Sequence, residues 1–163
     1  MDFRTKPEKI MIYIEASEDS IIAAQYAVCL AKWFGARISA VYVVDIKTLQ
    51  ELTRAKIFVK LEEMDYEKAL EDDGTHYLNH VRELAENKGV PVETILLKGD
   101  VFAEVAGRMK QDNIDLLVMG KLEEPESRRD FFYNTNERIF RRAPCPVIIV
   151  KDSENIKIMY DNL

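Results

Sequence analysis

Short runs of β-branched and aliphatic residues alternate along this chain with longer amphipathic stretches, and that alternation restricts the fold more than any other feature. Lys9 to Glu15 (KIMIYIE), Arg37 to Val44 (RISAVYVV), Val90 to Leu97 (VPVETILL), Asp115 to Met119 (DLLVM) and Val147 to Val150 (VIIV) read as five strands. Most are nearly continuous in apolar character, which a strand needs when helices cover both of its faces. Ser17 is placed as an N-cap, with Glu18 and Asp19 at the positive end of a helix predicted from Asp19 to Phe34 and closed by Gly35. A second helix follows Gly99-Asp100 and buries Phe102, Val105, Ala106 and Met109. A third runs from Asn136 to Arg142 and is stopped by Pro144.

The polar region from Asp45 to Lys88 predicts two helical pieces. Leu49, Leu52 and Val59 mark the first, Tyr77, Val81 and Leu84 the second, and Gly74 is the expected break. The whole reads as a single domain over 1–163, an α/β fold built on an open, mostly parallel five-stranded sheet with helices on both faces. The domain core spans about 8–151 and a C-terminal tail 152–163. In that tail, Asn155 to Tyr160 (NIKIMY) alternates like a strand and is expected to dock through Ile156, Ile158 and Tyr160.

The chain has 163 residues, enough to bury a core without disulfides or metals. With 47% hydrophobic and 32% charged residues it has the balance of a soluble globular protein and not of a disordered one. No stretch approaches the roughly 18 apolar residues a membrane span needs. The opening MDFRTKPEKI lacks an apolar run and a small-residue cleavage site, so a cytoplasmic location is expected. Cys29 and Cys145 form no disulfide framework and are expected to be reduced. A net charge of −6 argues against a nucleic-acid partner, which calls for clustered Lys and Arg.

Chemistry-bearing motifs are sparse. The sequence has no G-x-S-x-G elbow, no GK[ST] phosphate loop and no C-x-x-C pair, so no catalytic residues are assigned. His76 and His80 share a helix face, but two histidines four apart do not make a tetrahedral site, and no metal is assigned.

The most specific signals are DLLVMG at 115–120 and ERIFRRAPCPVIIV at 137–150, preceded by KIMIYIEASEDS and the strand end YVVD. Together, in this order and spacing, they resemble the universal stress protein family over about residues 8–151. The resemblance implies a Rossmann-like, adenine nucleotide alpha hydrolase-like sheet. It also implies a stress-response role without catalysis and a homodimer paired through Val147, Ile148, Ile149 and Val150 across a two-fold axis. The protein partner is unknown; Leu49, Leu52, Phe58 and Met64, a semi-exposed apolar set, are where one is expected to bind.

ATP-binding members carry G-x2-G-x9-G-[ST] after the fourth strand, where bare backbone N–H groups approach the phosphates. Gly120 holds the first position here, but Glu123, Tyr133 and Asn134 replace the other two glycines and the hydroxyl. Glu15-Ala16-Ser17 stands where family members often have D-G-S, and Val43 matches a position bordering the base. Glu15 and Ser17 also read simply as the start of a helix, and Val43 as a buried strand residue. The expectation is that no cofactor binds. The alternative is ATP or AMP held by a remodelled loop through Arg128 and Arg129, with Glu15, Ser17, Val43, Gly120 and Asn134 as contacts.

Overall fold

The computed structural model describes residues 5–123 and 134–163. Five parallel strands, β1 (Lys9–Ile14), β2 (Arg37–Asp45), β3 (Val92–Gly99), β4 (Leu116–Met119) and β5 (Val147–Ile149), form one sheet in the order β3-β2-β1-β4-β5. Winding therefore runs outward from β1 to β3, then returns to the other side of β1 for β4 and β5. A right-handed crossover puts its helix on one face for one direction of travel and on the opposite face for the other. The helices obey that rule. Helices α1 (Glu18–Phe34) and α3 (Lys60–Glu86) pack with Ile10, Ile12, Ile38 and Ala40 on one face. Helices α4 (Val101–Gln111) and α5 (Thr135–Arg142) pack with Met11, Tyr13, Val41 and Leu117 on the other. The period-2 alternation of β1 and β2 thus supplies both cores, which is why those strands read as unbroken apolar runs.

The return to β1 is fixed by Asp115. Its carboxylate Oδ2 accepts the amide protons of Glu8 and Lys9 at 3.0 Å each, while its own amide donates to the Lys9 carbonyl at 2.9 Å. Helix α1 has the termini its sequence implies. Ser17 accepts from the Ser20 amide, and Gly35 closes the helix in the left-handed region at φ 67°.

The region after β2 departs from the sequence-based expectation. Helix α2 (Ile46–Arg54) is short, and α3 runs unbroken for 27 residues through Gly74. Gly74 is buried, and a Cβ there would stand 2.6 Å from Tyr42 Cδ1 and 2.8 Å from Leu96 Cδ1. The glycine lets α3 press against β2 and β3; it is a contact point and not a break. Nor is the expected apolar set uniform: Leu49 is buried, Leu52 and Phe58 are half-buried, and Met64 is exposed.

The tail is also different. It forms helix α6 (Ser153–Asp161), N-capped by Asp152, and packs on α1. Ile156 and Tyr160, one turn apart, are buried, and the Tyr160 hydroxyl donates to the Leu84 carbonyl at 2.7 Å. Lys88 Nζ sits 4.7 Å above the Tyr160 ring. Ile158 points away and is 59% exposed. Residues 156, 158 and 160 fit both a strand and, through 156 and 160, a helix; the groove between α1 and α3 selects the helix.

Two outcomes follow. Gly74→Ala improves helix propensity by about 0.5–1 kcal/mol but overpacks a core contact at a cost of about 1–3 kcal/mol, so it is expected to lower stability in urea denaturation. Ile156→Ala is expected to cost about 2–5 kcal/mol, whereas Ile158→Ala should stay within about 0.5 kcal/mol. Equal losses at the two positions would contradict the helical docking of the tail.

Candidate functional site

In an open parallel sheet, ligands sit beyond the carboxyl ends of the strands where winding reverses, here between β1 and β4. Glu15 follows β1 at that point. Its Oε2 accepts from Asn136 Nδ2 at 2.9 Å, and the Tyr13 hydroxyl, two residues back on the same face, also donates to it. Burial is the main reason its carboxyl is held above the ordinary carboxylate value. The Asn136 and Tyr13 hydrogen bonds oppose that shift, while the charges of Glu123 and Asp19 add to it. Burial, and then the Glu15 charge, push the Tyr13 phenol far above its usual range, so it stays a donor.

The other expected site residues each have local work. Ser17 caps α1, and its hydroxyl is within 3.3 Å of the Ser20 hydroxyl. Ser20 in turn accepts the Glu15 amide proton at 2.8 Å. Val43 is buried in β2 and packs in the core beneath α4. Gly120 ends β4 against the start of α1: a Cβ on it would lie 2.9 Å from both the carbonyl carbon and the oxygen of Asp19. The glycine at this point thus serves chain packing whether or not a phosphate approaches. Asn134 is the N-cap of α5, its Oδ1 accepting the Asn136 amide at 2.9 Å and the Glu137 amide at 3.2 Å. These are the donors that a helix N-terminus would otherwise offer to an anion.

The structure therefore brings Glu15, Asn136 and Asn134 together beyond the carboxyl end of β1, with Ser17 and Gly120 at the adjoining turn. Asn136 was missed from the sequence. The signal available was its place two residues after a capping Asn, which aims the first turn of α5 at the strand ends. Glu124, Glu126, Arg128, Arg129 and Tyr133 lie outside the described residues. Val150, expected at a dimer interface, is buried in the core of its own chain, while Val147, Ile148 and Ile149 are half-buried on edge strand β5.

Elsewhere, a hollow of about 420 Å³ lies at the opposite end of the sheet, lined in part by Lys9, Arg37, Glu93 and Asp112. Its two acids are already engaged, since Arg108 meets Asp112 and Glu93, and Lys9 Nζ donates to the Asp112 carbonyl. His76 and His80 are exposed on α3, and among the described residues no three His, Cys, Asp or Glu side chains are arranged to hold a metal. Among those residues no helix is long and apolar enough to cross a membrane. Burial raises the thiol pKa of both Cys29 and Cys145, which disfavours the nucleophilic thiolate.

Sheet order and winding, with the reversal between β1 and β4, define a doubly wound α/β domain. The chain belongs to the universal stress protein family: the profile described as "Universal stress protein family" matches residues 7–151. A universal stress protein of Methanocaldococcus jannaschii is 31% identical over 144 residues, covering 88% of this chain and 82% of that protein. The fold matches universal stress protein UspA of Lactobacillus plantarum with TM-score 0.70 at 20% identity, covering 91% of this chain and 100% of that one. Two further fold neighbours were solved with nucleotides. One is a universal stress protein in complex with cAMP, TM-score 0.63 at 15% identity, covering 90% of this chain and 98% of that one. The other is an Arabidopsis thaliana family member with AMP bound, TM-score 0.59 at 18% identity, covering 91% and 94%.

Glu15 also makes a pH test. A carboxyl raised in the folded state binds its proton more tightly there than in the unfolded chain, so its ionised form costs stability at neutral pH. That cost fades as pH falls through the folded pKa toward the ordinary value of 4.5. Glu15→Gln, which keeps the acceptor for Asn136, is expected to be more stable than the unmodified chain at pH 7. The gain should shrink as pH drops toward 4 in urea titrations. A gain that grows on acidification would contradict the assignment.

Proposed function

We propose that this chain is a non-catalytic stress-response protein that does not hold ATP and acts as a homodimer through protein contacts in the cytoplasm. One observation carries the reading: Asn134 satisfies the first amides of α5 with its own side chain, and Asn136 is tied to Glu15 beside them. A triphosphate would have to displace that cap and approach the carboxylates of Glu15 and Glu123. One unpaired carboxylate at short range costs on the order of a few kcal/mol, roughly a hundredfold in affinity. Burial of Cys29 and Cys145, which raises both thiol pKa values, supports a non-catalytic role. Dimerisation is supported by the edge position of β5, whose half-buried Val147 and Ile149 would be covered by a second copy of the same strand.

A second reading is favoured by the neighbours solved with AMP and cAMP. A single phosphate makes fewer demands on loop donors than three, so a monophosphate or cyclic nucleotide is the ligand class that fits this position if one binds.

The expected dissociation constant for Mg-ATP is weaker than about 1 mM, below the range of ordinary calorimetry. Glu123→Gly, Tyr133→Gly and Asn134→Ser combined should bring measurable binding. Mass spectrometry of small molecules released on denaturation separates the readings: no nucleotide supports the first, AMP or cAMP the second. Micromolar ATP binding by the unmodified protein would overturn the first.

A further inference from the structure

The corner between α2 and α3 exposes an apolar surface that nothing at the β1–β4 reversal or on β5 uses. Ile57, Val59, Leu61 and Met64 are 64%, 61%, 68% and 56% exposed. They lie close together in sequence, from the turn at 57 into the first turns of α3, and Leu61 and Met64 share a helix face one turn apart. Single exposed apolar residues are ordinary, but a cluster of this kind marks a contact surface.

The corner is held in shape. Buried Glu63 accepts from the Thr53 hydroxyl at 2.7 Å and from Lys60 Nζ at 3.1 Å, joining the first turn of α3 to the last turn of α2. Lys56 turns the chain between them at φ 58°, a left-handed position that usually goes to glycine. The Ile57 amide donates to the Leu52 carbonyl at 3.0 Å and the Lys56 amide to the Thr53 carbonyl at 3.1 Å, completing a Schellman closure of α2. Phe58 is anchored by stacking on Tyr66, with centroids 4.9 Å apart. The apolar residues are therefore presented by an ordered turn. Helix α3 also begins with Val59 at its N-cap position, where no side chain satisfies the first amides.

Charge around this surface decides what fits it. Lys60 stands at the first helical position, 73% exposed, and Asp65 is exposed just past Met64. Two such turns laid antiparallel about an axis between Glu62 and Glu63 set Leu61 against Met64 twice. The same rotation sets Lys60 of each copy against Asp65 of the other and brings that carboxylate to the uncapped start of α3. A surface that is complementary to its own rotated copy in both charge and apolar content fits a second copy of this chain. The exposed charges between positions 56 and 65, Lys56, Lys60, Glu62 and Asp65, are two of each sign, so a uniformly basic or acidic partner would leave two of them facing like charge.

We propose that the α2–α3 corner is a self-association surface, an isologous contact between two copies of the chain through Ile57, Val59, Leu61 and Met64. It is independent of β5 pairing. Because β5 lies at one edge of the sheet and α2 and α3 pack toward β2 and β3 near the other, the two contacts can coexist and join dimers into larger assemblies.

Sedimentation velocity of the full chain across a concentration series tests this, with Leu61→Ser/Met64→Ser, Asp65→Lys and Ile149→Lys beside it. At the highest concentrations the unmodified chain should reach at least twice the mass of Leu61→Ser/Met64→Ser. Asp65→Lys, which sets lysine against lysine, should shift association to higher concentration. Ile149→Lys should still pair through the corner, so loss of the β5 contact and loss of the corner contact give different patterns. The exposed positions should tolerate substitution, and thermal melts check it: a fall of more than a few degrees in Leu61→Ser/Met64→Ser would show that these residues are covered within the chain and overturn the proposal. Equal masses for the unmodified chain and Leu61→Ser/Met64→Ser at every concentration would overturn it too.

Discussion

The pairing of β1 with β4 is the constraint on which the rest of this molecule depends. The two strands are about a hundred residues apart in sequence, and closing such a loop is entropically expensive until local bonds reward it. Asp115 supplies those bonds at the entrance to β4 by accepting two consecutive amides at the start of β1. Once that pair is in register, the winding direction reverses, and α4 and α5 must fall on the face opposite α1 and α3, so the connections diverge at the carboxyl ends. The site is thus a consequence of topology before it is one of side chains.

What occupies the end of the sheet there is then a matter of small competitions. A helix N-terminus offers free amides to any acceptor within reach, and Asn134 is nearer than any ligand. Glu15 adds a carboxylate that is held by Asn136 and Tyr13 and carries a cost of burial at neutral pH. Gly120, the surviving glycine of the family's loop pattern, is needed for the close passage of β4 past Asp19. Its persistence therefore says nothing by itself about phosphate.

The tail and the α2–α3 corner show the same sheet supporting opposite solutions for apolar surface. Helix α6, beyond the 7–151 match to the family, covers a groove between α1 and α3 with Ile156 and Tyr160. The corner leaves Leu61 and Met64 in water although a buried carboxylate holds its backbone in place. The first arrangement completes a core within one chain; the second leaves a contact to be completed by another.

By itself the sequence determined the strands, the helix caps at Ser17 and Gly35, and a two-faced parallel sheet, because these follow from local periodicity and capping chemistry over a few residues. The family pattern and its substitutions at Glu123 and Asn134 were legible for the same reason. Three features were settled only in three dimensions. Gly74 reads as a helix break until Tyr42 and Leu96 are seen pressed against it. The tail reads as a strand until the groove beneath it picks out Ile156 and Tyr160 and rejects Ile158. Asn136 gains its role only because the fold carries it to Glu15, 121 residues away. In each case the deciding energy comes from a contact between distant segments, which no window of sequence contains.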